Sequence, residues 1–419
     1  MTAVENSSRT LPGTPQWKDL LGRLSIGAKD RDLNDENPFD QVADLKRAGF
    51  GTLRLTRELG GSGLTVPQLF SAVIDVAQAD PIVAHIFRTH FWFVEERLRS
   101  GSGGQERSDR GGTYDPASVP WLRKVADGKL FGNAFSEKGA AAVGSLVFNT
   151  RLLPEPTGGF RLDGEKYYST GTLFSDYLTV TATTDHDSVA TVVVPADRTG
   201  VKLVDDWDGF GQRRTGTGTT TFSHVSVTSD EILVDAPYDS EPVPTVQWAF
   251  LQLYIHAVVA GVLANVVDDG VTLLRSRDRS FSHAPADRPT DDPLLQRQLG
   301  VLASTASIAR AAVLDAAEAI AVATNSAAST PDGNPDPELA AEAQLKVAQV
   351  KVHLDDVAPE AASRLLELGG ASAASRQRNL DRHWRNIRTI TLHNPVAYKA
   401  VAIGANLLHG TPLPANAYF

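Results

Sequence analysis

Hydrophobic residues spaced three and four apart run from Trp17 to about Leu98, as in Phe39, Val42, Leu45 and again in Leu69, Val73, Val76. Gly60-Gly61-Ser62-Gly63 interrupts them. That period predicts a small helical domain over 17–129, broken by a turn. From about Leu130 the period changes to two. SLVFNTRLL, GFRLDGEKYY, DYLTVTATT, VATVVVPA and TGTTTFSHVSV read as short strands separated by turn signals such as Asp163-Gly164, which predicts a β domain over 130–242. After about Val243 the helical period returns, with helices expected over 245–277, 293–327, 338–368 and 395–409, in outline a four-helix bundle over 243–419. Pro359 falls inside the third of these and is expected to kink or interrupt it. Residues 1–16 are polar and read as disordered, and 100–113 (SGSGGQERSDRGGT) as a mobile loop beside the helix that carries His85.

Composition narrows the functions available. A chain of 419 residues and 44.9 kDa can bury a large core in two or three compact units. A formal net charge of -10 argues against nucleic acid or an acidic membrane as partner, since both draw affinity from excess Lys and Arg. With no cysteine there are no disulfides, thiolate metal sites or thiol nucleophiles. The start MTAVENSSRTLPGTPQ lacks the apolar core of a signal peptide, and no run of about 18 apolar residues occurs, so a cytoplasmic location is expected. Met1 is the only methionine, which would suit a peroxide-handling enzyme and equally follows from compositional drift. No H-E-x-x-H, G-x-S-x-G or P-loop pattern is present, and no metal is expected.

The densest chemistry lies in DRHWRNIRTITLHNPVAY, residues 381–398. Asn394 followed by Pro395 has the form of a helix start, with the amide as cap and proline in the first turn, and Gly410 before Pro412 reads as the stop. His393 would then sit at the positive end of a helix dipole, where a neutral imidazole is favoured. Taken alone, Arg382, Arg385 and Arg388 read as a solvated face and His393 as a group packed in a helix joint.

The same stretch resembles the C-terminal signature of the flavin-dependent monooxygenases built on the acyl-CoA dehydrogenase fold. The resemblance implies an α+β chain: an N-terminal helical domain, a middle β-barrel or sandwich and a C-terminal four-helix bundle. Further motifs match in order. LFGNAFSEKG places Asn133 and Ser136 at the flavin, with Lys138 where dehydrogenases have proline. KYYSTG sets Tyr168 against the isoalloxazine and Thr170 near its N5. DDWDGFGQRRTGTG makes Trp207 the pocket's aromatic wall. RSRDRSF selects Arg279 for the cofactor's phosphate end, and ELGGASA makes Gly369 and Gly370 a turn against the cofactor of a neighbouring subunit. His85 matches a histidine that points into the active-site cavity, with His90 a second choice, and a lone buried histidine is most often a satisfied core group. Phe91, Trp92 and Trp248 are expected to make the substrate pocket apolar. A second family histidine, three residues before the one matching His393, is replaced by Ile390.

What the resemblance implies for function is a two-component monooxygenase. A separate NAD(P)H-dependent reductase delivers reduced FMN, or FAD, oxygen adds at the flavin C4a position, and one oxygen atom passes to a small substrate. Thr170 and Asn133 would hold the flavin, His393 and His85 would manage the proton, and His393 and Asn394 would also touch the cofactor; the assembly would be a homotetramer. The alternatives are an acyl-CoA dehydrogenase and a non-catalytic flavoprotein scaffold. Many dehydrogenases keep a catalytic Glu where this chain has Asn394, and an amide cannot take a proton from carbon, so a dehydrogenase would need Glu367 or Asp268 as its base.

Overall fold

The computed structural model describes residues 10–99, 106–107, 113–139, 147–186, 188–237, 246–330, 333–416 and 419. Order begins earlier than the polar N-terminus suggested. Thr14 caps α1 (Pro15–Ser25) by accepting a hydrogen bond from the Trp17 amide at 3.2 Å, so 10–16 are structured, while 1–9 lie outside the described residues. After α2 (Ala28–Asn34) and α3 (Phe39–Arg47) the chain turns through the glycine run into α4 (Val66–Ala79), which opens with a Thr65/Gln68 capping box. Glycine at 61 is required by close approach: a Cβ there would lie 2.0 Å from the Leu55 carbonyl oxygen. Asp80 then caps α5 (Pro81–Ile86) by accepting from the amides of Ile82 and Val83, and α6 (Arg88–Arg97) follows after a break at Phe87 alone. In the expected loop, the described part is a short antiparallel pair, β1 (Glu106–Arg107) with β2 (Thr113–Tyr114); the remainder lies outside the described residues. A helix that the periodicity did not single out, α7 (Val119–Ala126), completes this part.

The period-two stretches form strands of a single sheet. It contains β3 (Phe131–Ala134), β4 (Arg151–Pro154), β5 (Phe160–Lys166), β6 (Tyr177–Thr184), β7 (Ser188–Pro195), β8 (Val201–Leu203), β9 (Thr220–Val227) and β10 (Ile232–Pro237). The order is β10-β7-β6-β4-β5-β9-β8, with β3 running parallel to β6. Alternating residues of β6, β7 and β9, among them Leu178, Val180, Val192 and Val225, pack one face into a core of its own.

The C-terminal helices fall close to the expected bounds: α8 (Val246–Arg275), α9 (Pro293–Ser326), α10 (Pro337–Glu367) and α12 (Val396–His409), with a further short helix α11 (Arg382–Thr391). Pro359 does not interrupt α10, which is continuous from Pro337 to Glu367. Proline removes one hydrogen bond there, but Ala358, Ala361 and Ala362 are buried around it and hold the helix in place. The N- and C-terminal helical parts are not separate in their packing. One apolar core runs from Trp17 to Ile390 and includes Phe70, Phe250, Tyr254, Val313 and Leu354. α8 is the one described helix long and apolar enough to cross a membrane, and most of it is buried here as the axis of that core.

Candidate functional site

The signature helix α11 is a clamp rather than a solvated face. Arg382 donates to Asp269 at 2.6 Å and His383 Nε2 lies 2.8 Å from the same carboxylate oxygen, which ties α11 to α8. Burial works against charge on Asp269, but these two partners outweigh it and bring its pKa down to about 2. Arg385 donates to Asp32, Asn379 and Asp381, each at 2.8 Å, and to the Phe210 carbonyl at 3.2 Å. Asn386 Oδ1 accepts from the Gln212 amide at 2.7 Å. The loop so held approaches α11 very closely, since a Cβ on Gly211 would meet the Arg385 carbonyl oxygen at 2.1 Å. The arginine- and asparagine-rich pattern therefore fixes the loop that carries Trp207 and Gln212.

From Gln212 a chain of hydrogen bonds leads into the β domain. Gln212 Oε1 lies 2.9 Å from His85 Nδ1, Thr215 Oγ1 donates to the Gln212 carbonyl at 2.8 Å, and the hydroxyls of Thr215, Thr217 and Thr170 follow at 2.6 and 2.8 Å. Gly171, with φ +85°, lets this segment lie against α5; a Cβ there would stand 2.6 Å from the Ile86 carbonyl oxygen. His85 and Thr170 are thus brought together from elements far apart in sequence. Tyr168 adopts a left-handed φ of +56° and turns an exposed ring toward half-buried Trp207, with centroids 5.8 Å apart. Trp207 Nε1 donates to the Gly211 carbonyl at 3.3 Å. Beside them, Asn133 on β3 accepts from the Thr179 hydroxyl at 3.2 Å, and the Ser136 carbonyl accepts from the Tyr167 amide at 2.7 Å. A buried ion pair anchors this edge, with Lys166 donating to Glu137 at 2.7 Å.

His393 and Asn394 occupy the joint between α11 and α12. The expected cap is not made. Pro395 holds the N-cap position, and the Asn394 amide instead donates to Gln252 Oε1 at 3.0 Å, because a buried partner on α8 competes with the helix end. Gly410 does end α12, in the left-handed conformation. His393 is accessible at this joint although protein atoms surround it closely. Arg88 Nη1 lies 3.4 Å from its Nε2. Desolvation first, and then the charges of Arg88 and Lys351, press the His393 pKa well below the usual imidazole value. His85, 9% exposed, falls to about 4 through burial and then Arg88, against the opposing hydrogen bond to Gln212. Both rings are neutral at pH 7. Behind them Asp355 accepts from Lys351 at 2.6 Å and lies 3.2 Å from His256 Nε2.

Other expected residues are placed elsewhere. Phe91 has no exposed surface and packs against Phe50, Phe87 and Tyr254; it is a core residue and not a pocket residue, because the face of α6 that carries it is turned into the main core. Trp92 and Trp248 do form a half-buried stack at 6.3 Å. His90 is a satisfied core histidine, its Nδ1 accepting from the Phe131 amide at 3.2 Å and its Nε2 lying 2.9 Å from the Gly51 carbonyl. Arg279 is exposed beyond the end of α8, and Gly369 packs against Leu273 near that same end. Gln252 and Leu273 are about six turns apart on one helix, roughly 30 Å, so Arg279, Gly369 and Gly370 do not join the site within this chain. Sequence reasoning missed Arg88, Gln212, Gln252 and the set His256, Lys351, Asp355. A charge inside the apolar run IVAHIFRTHFWF and the Lys351/Asp355 spacing of four were the available signals.

Residues 133–225 match the acyl-CoA dehydrogenase middle domain, and residues 253–398 match the acyl-CoA dehydrogenase C-terminal domain. The chain belongs to the acyl-CoA dehydrogenase superfamily. Within it, the chain is 28% identical over 413 residues to dibenzothiophene monooxygenase of Rhodococcus erythropolis, covering 95% of this chain and 93% of the relative. It is 27% identical over 393 residues to a probable FMNH2-dependent monooxygenase, SfnC, of Pseudomonas putida, covering 92% of each. The FMN-bound structure of TdsC from Paenibacillus sp. A11-2 superposes with a TM-score of 0.83 at 27% identity, over 96% of this chain and 98% of that one. The two carboxylates considered as a dehydrogenase base, Glu367 and Asp268, are both exposed and engaged outside the His85/His393 cluster, Glu367 by Gln298 and Asp268 by Gln78.

The residues present fit a planar, hydrogen-bonding cofactor. Tyr168 and Trp207 offer aromatic faces and Thr170 a hydroxyl. Four buried polar atoms on the residues of this network, Ser169 Oγ, Gln212 Nε2, His85 Nε2 and Asn394 Oδ1, have no hydrogen-bond partner among the described residues. Such atoms are costly when unsatisfied, and a hydrogen-bonding ligand would satisfy them.

Proposed function

We propose that the chain is the oxygenase component of a two-component flavin-dependent monooxygenase, taking reduced FMN from a separate NAD(P)H-dependent reductase and inserting one atom of O2 into a small molecule. The observation that carries this reading is the pair of neutral histidines, His85 and His393, facing a site in which an amide, Asn394, stands where many dehydrogenases of the superfamily hold their carboxylate base. Bound reduced FMN supplies the electrons that activate O2. Tyr168 and Trp207 would wall the ring system, and Asn133 and Thr170 would hydrogen-bond its polar edge. Ser136 and Asn394 would complete the near side.

His85 has a defined task in this arrangement. Gln212 Oε1 only accepts, so the proton sits on Nδ1, leaving Nε2 as a buried acceptor able to receive or orient a proton from the reacting centre. His393 flanks the site from the opposite helix joint, its Nε2 turned to the Arg88 guanidinium and its Nδ1 to the Asn394 side-chain amide, with burial first and then Arg88 keeping it neutral. Trp92 and Trp248 exclude water from the substrate side. Arg279, Gly369 and Gly370 would reach a cofactor only from a neighbouring copy, as in the homotetramer that the family resemblance implies. Indole, the ligand of one solved TdsC complex, and dibenzothiophene are reasonable trial substrates.

The test compares two reactions of the flavin. Reduced FMN held by the protein should reoxidise at least about tenfold more slowly than free reduced FMN when mixed with oxygen, as expected of a site that desolvates and hydrogen-bonds it. Oxidised flavin on the protein should keep its colour when acyl-CoA is added without oxygen. Bleaching by acyl-CoA would replace the monooxygenase by a dehydrogenase.

A further inference from the structure

Three ionisable side chains that the proposed chemistry leaves unused lie inside the helical core. His256 on α8 and Lys351 on α10 have no exposed side-chain surface, and Asp355, one turn after Lys351, has 3%. Lys351 donates to Asp355 Oδ2 at 2.6 Å, and Asp355 Oδ1 lies 3.2 Å from His256 Nε2. The other ring nitrogen, Nδ1, lies 2.9 Å from the Gln252 carbonyl oxygen. Gln252 is also the residue whose side chain accepts from Asn394, beside His393. The cluster therefore adjoins the candidate site through one residue of α8. Its other charged neighbours are Arg88, from α6, and Lys399, from α12, which donates to the Phe419 carbonyl.

The proton count of this cluster follows from its partners. A carbonyl and an ionised carboxylate only accept hydrogen bonds, so each ring nitrogen of His256 faces an acceptor. An imidazole with a single proton would leave one lone pair against an oxygen. Burial opposes a charged ring, and the hydrogen bond to Asp355 opposes burial. Both demands are met when a second proton lies between Nε2 and Asp355. The pair is then neutral as a whole, and the ammonium of Lys351 is the net charge of the three groups. A simple ion pair would instead cancel that charge, and such a pair is costly to bury where apolar residues could pack as well. Desolvation aside, Arg88, Lys351, His85 and His256 all press the pKa of His393 down, so the cluster is felt at that joint.

We infer that His256 and Asp355 share one proton and act as positioning residues for the proposed oxygenase, leaving the charge of Lys351 uncancelled behind His393, where it favours an anionic ligand. That ligand is reduced FMN, whose ring gives up a proton near neutral pH. The inference rests on the proposed function for the ligand, and not for the shared proton.

Proton NMR of the full chain tests the shared proton without any ligand. A far-downfield resonance should be present at pH 7 and absent from both His256→Gln and Asp355→Asn. Its absence from the wild-type chain, or its survival in either variant, overturns the inference. The link to the site is read from the affinity for reduced FMN divided by that for oxidised FMN, a ratio that cancels losses common to both. Lys351→Met and His256→Gln each remove one positive charge, and the ratio should fall about tenfold, the effect of one charge roughly 10 Å away at an effective dielectric of about 20. Asp355→Asn removes the carboxylate and the proton together, so the net charge is kept and the ratio should stay within about twofold of the wild type. A ratio altered in Asp355→Asn, or unchanged in either of the other two, overturns the positioning role. A chain that binds neither form of FMN overturns the proposed function instead, and the resonance still decides the shared proton.

Discussion

His85 and His90 show how one residue type in one short stretch acquires two roles. Both are buried and both have pKa values lowered to about 4, chiefly by desolvation. His90 uses both nitrogens within the protein, whereas His85 Nε2 has no partner among the described residues. His85→Gln and His393→Ala are therefore expected to fold normally and to lose about 10²- to 10⁴-fold in turnover with a coupled reductase, the range for a positioned proton-transfer group. His90→Ala should leave the site chemistry intact and cost about 1–3 kcal/mol of stability by stranding the Phe131 amide. The pH dependence follows with a definite sign. Because His85, His90 and His383 are held near 4 against 6.5 for an ordinary histidine, the unfolded chain binds more protons between those values. Stability should then fall as pH drops through 6.5 and stop falling on their account below about 4. Calorimetric melting from pH 7 to 4 checks this, and the slope should be shallower in His90→Gln.

At the scale of elements, α11 ties the helical core to the loop that faces the cofactor. The sequence motif D-R-H-W-R-N was legible as something special, but its residues work by holding other residues rather than by touching a ligand. Asn386 is the most direct example, since its single bond to the Gln212 amide sets the loop carrying Gln212 to His85. Asn386→Ala is expected to cost about 1–3 kcal/mol in melting experiments and, in addition, to weaken FMN binding as measured by fluorescence titration. An unchanged FMN affinity would mean that the loop keeps its place without the clamp. The missed cap at Asn394 has the same origin. Its local grammar called for a helix start, and the buried Gln252 side chain took the amide instead.

Across the whole molecule, α12 is a long helix that buries only Lys399 of its own residues. Tyr398, Val401 and Leu408 are 74%, 70% and 78% exposed and fall on one face of the helix. An apolar face of this kind on a stable helix is expected to pack against another copy. The distance of Arg279 and Gly369 from the site asks for the same thing. Sedimentation of the double variant Val401→Glu, Leu408→Glu should show a smaller assembly than the wild type. If the site draws on a neighbouring copy, FMN affinity should fall with it; an unchanged assembly would place the subunit contacts elsewhere.

Periodicity alone settled the order of helical, β and helical regions and the ends of the long helices to within a few residues, because burial on one face imposes its spacing on the chain wherever an element is amphipathic. The motifs pointed to Asn133, Ser136, Tyr168, Thr170, Trp207 and His393 as one neighbourhood. Only the tertiary structure decided which of two histidines has both ring nitrogens engaged, that α10 passes through Pro359, that Phe91 belongs to the core, and that the two helical regions share that core. Most of all it brought Arg88, Gln212, Gln252 and Asp355 to one place. Such residues carry no local pattern, since their chemistry depends on partners scores of residues away, and it is burial at a common point that gives a lone charge or amide its meaning.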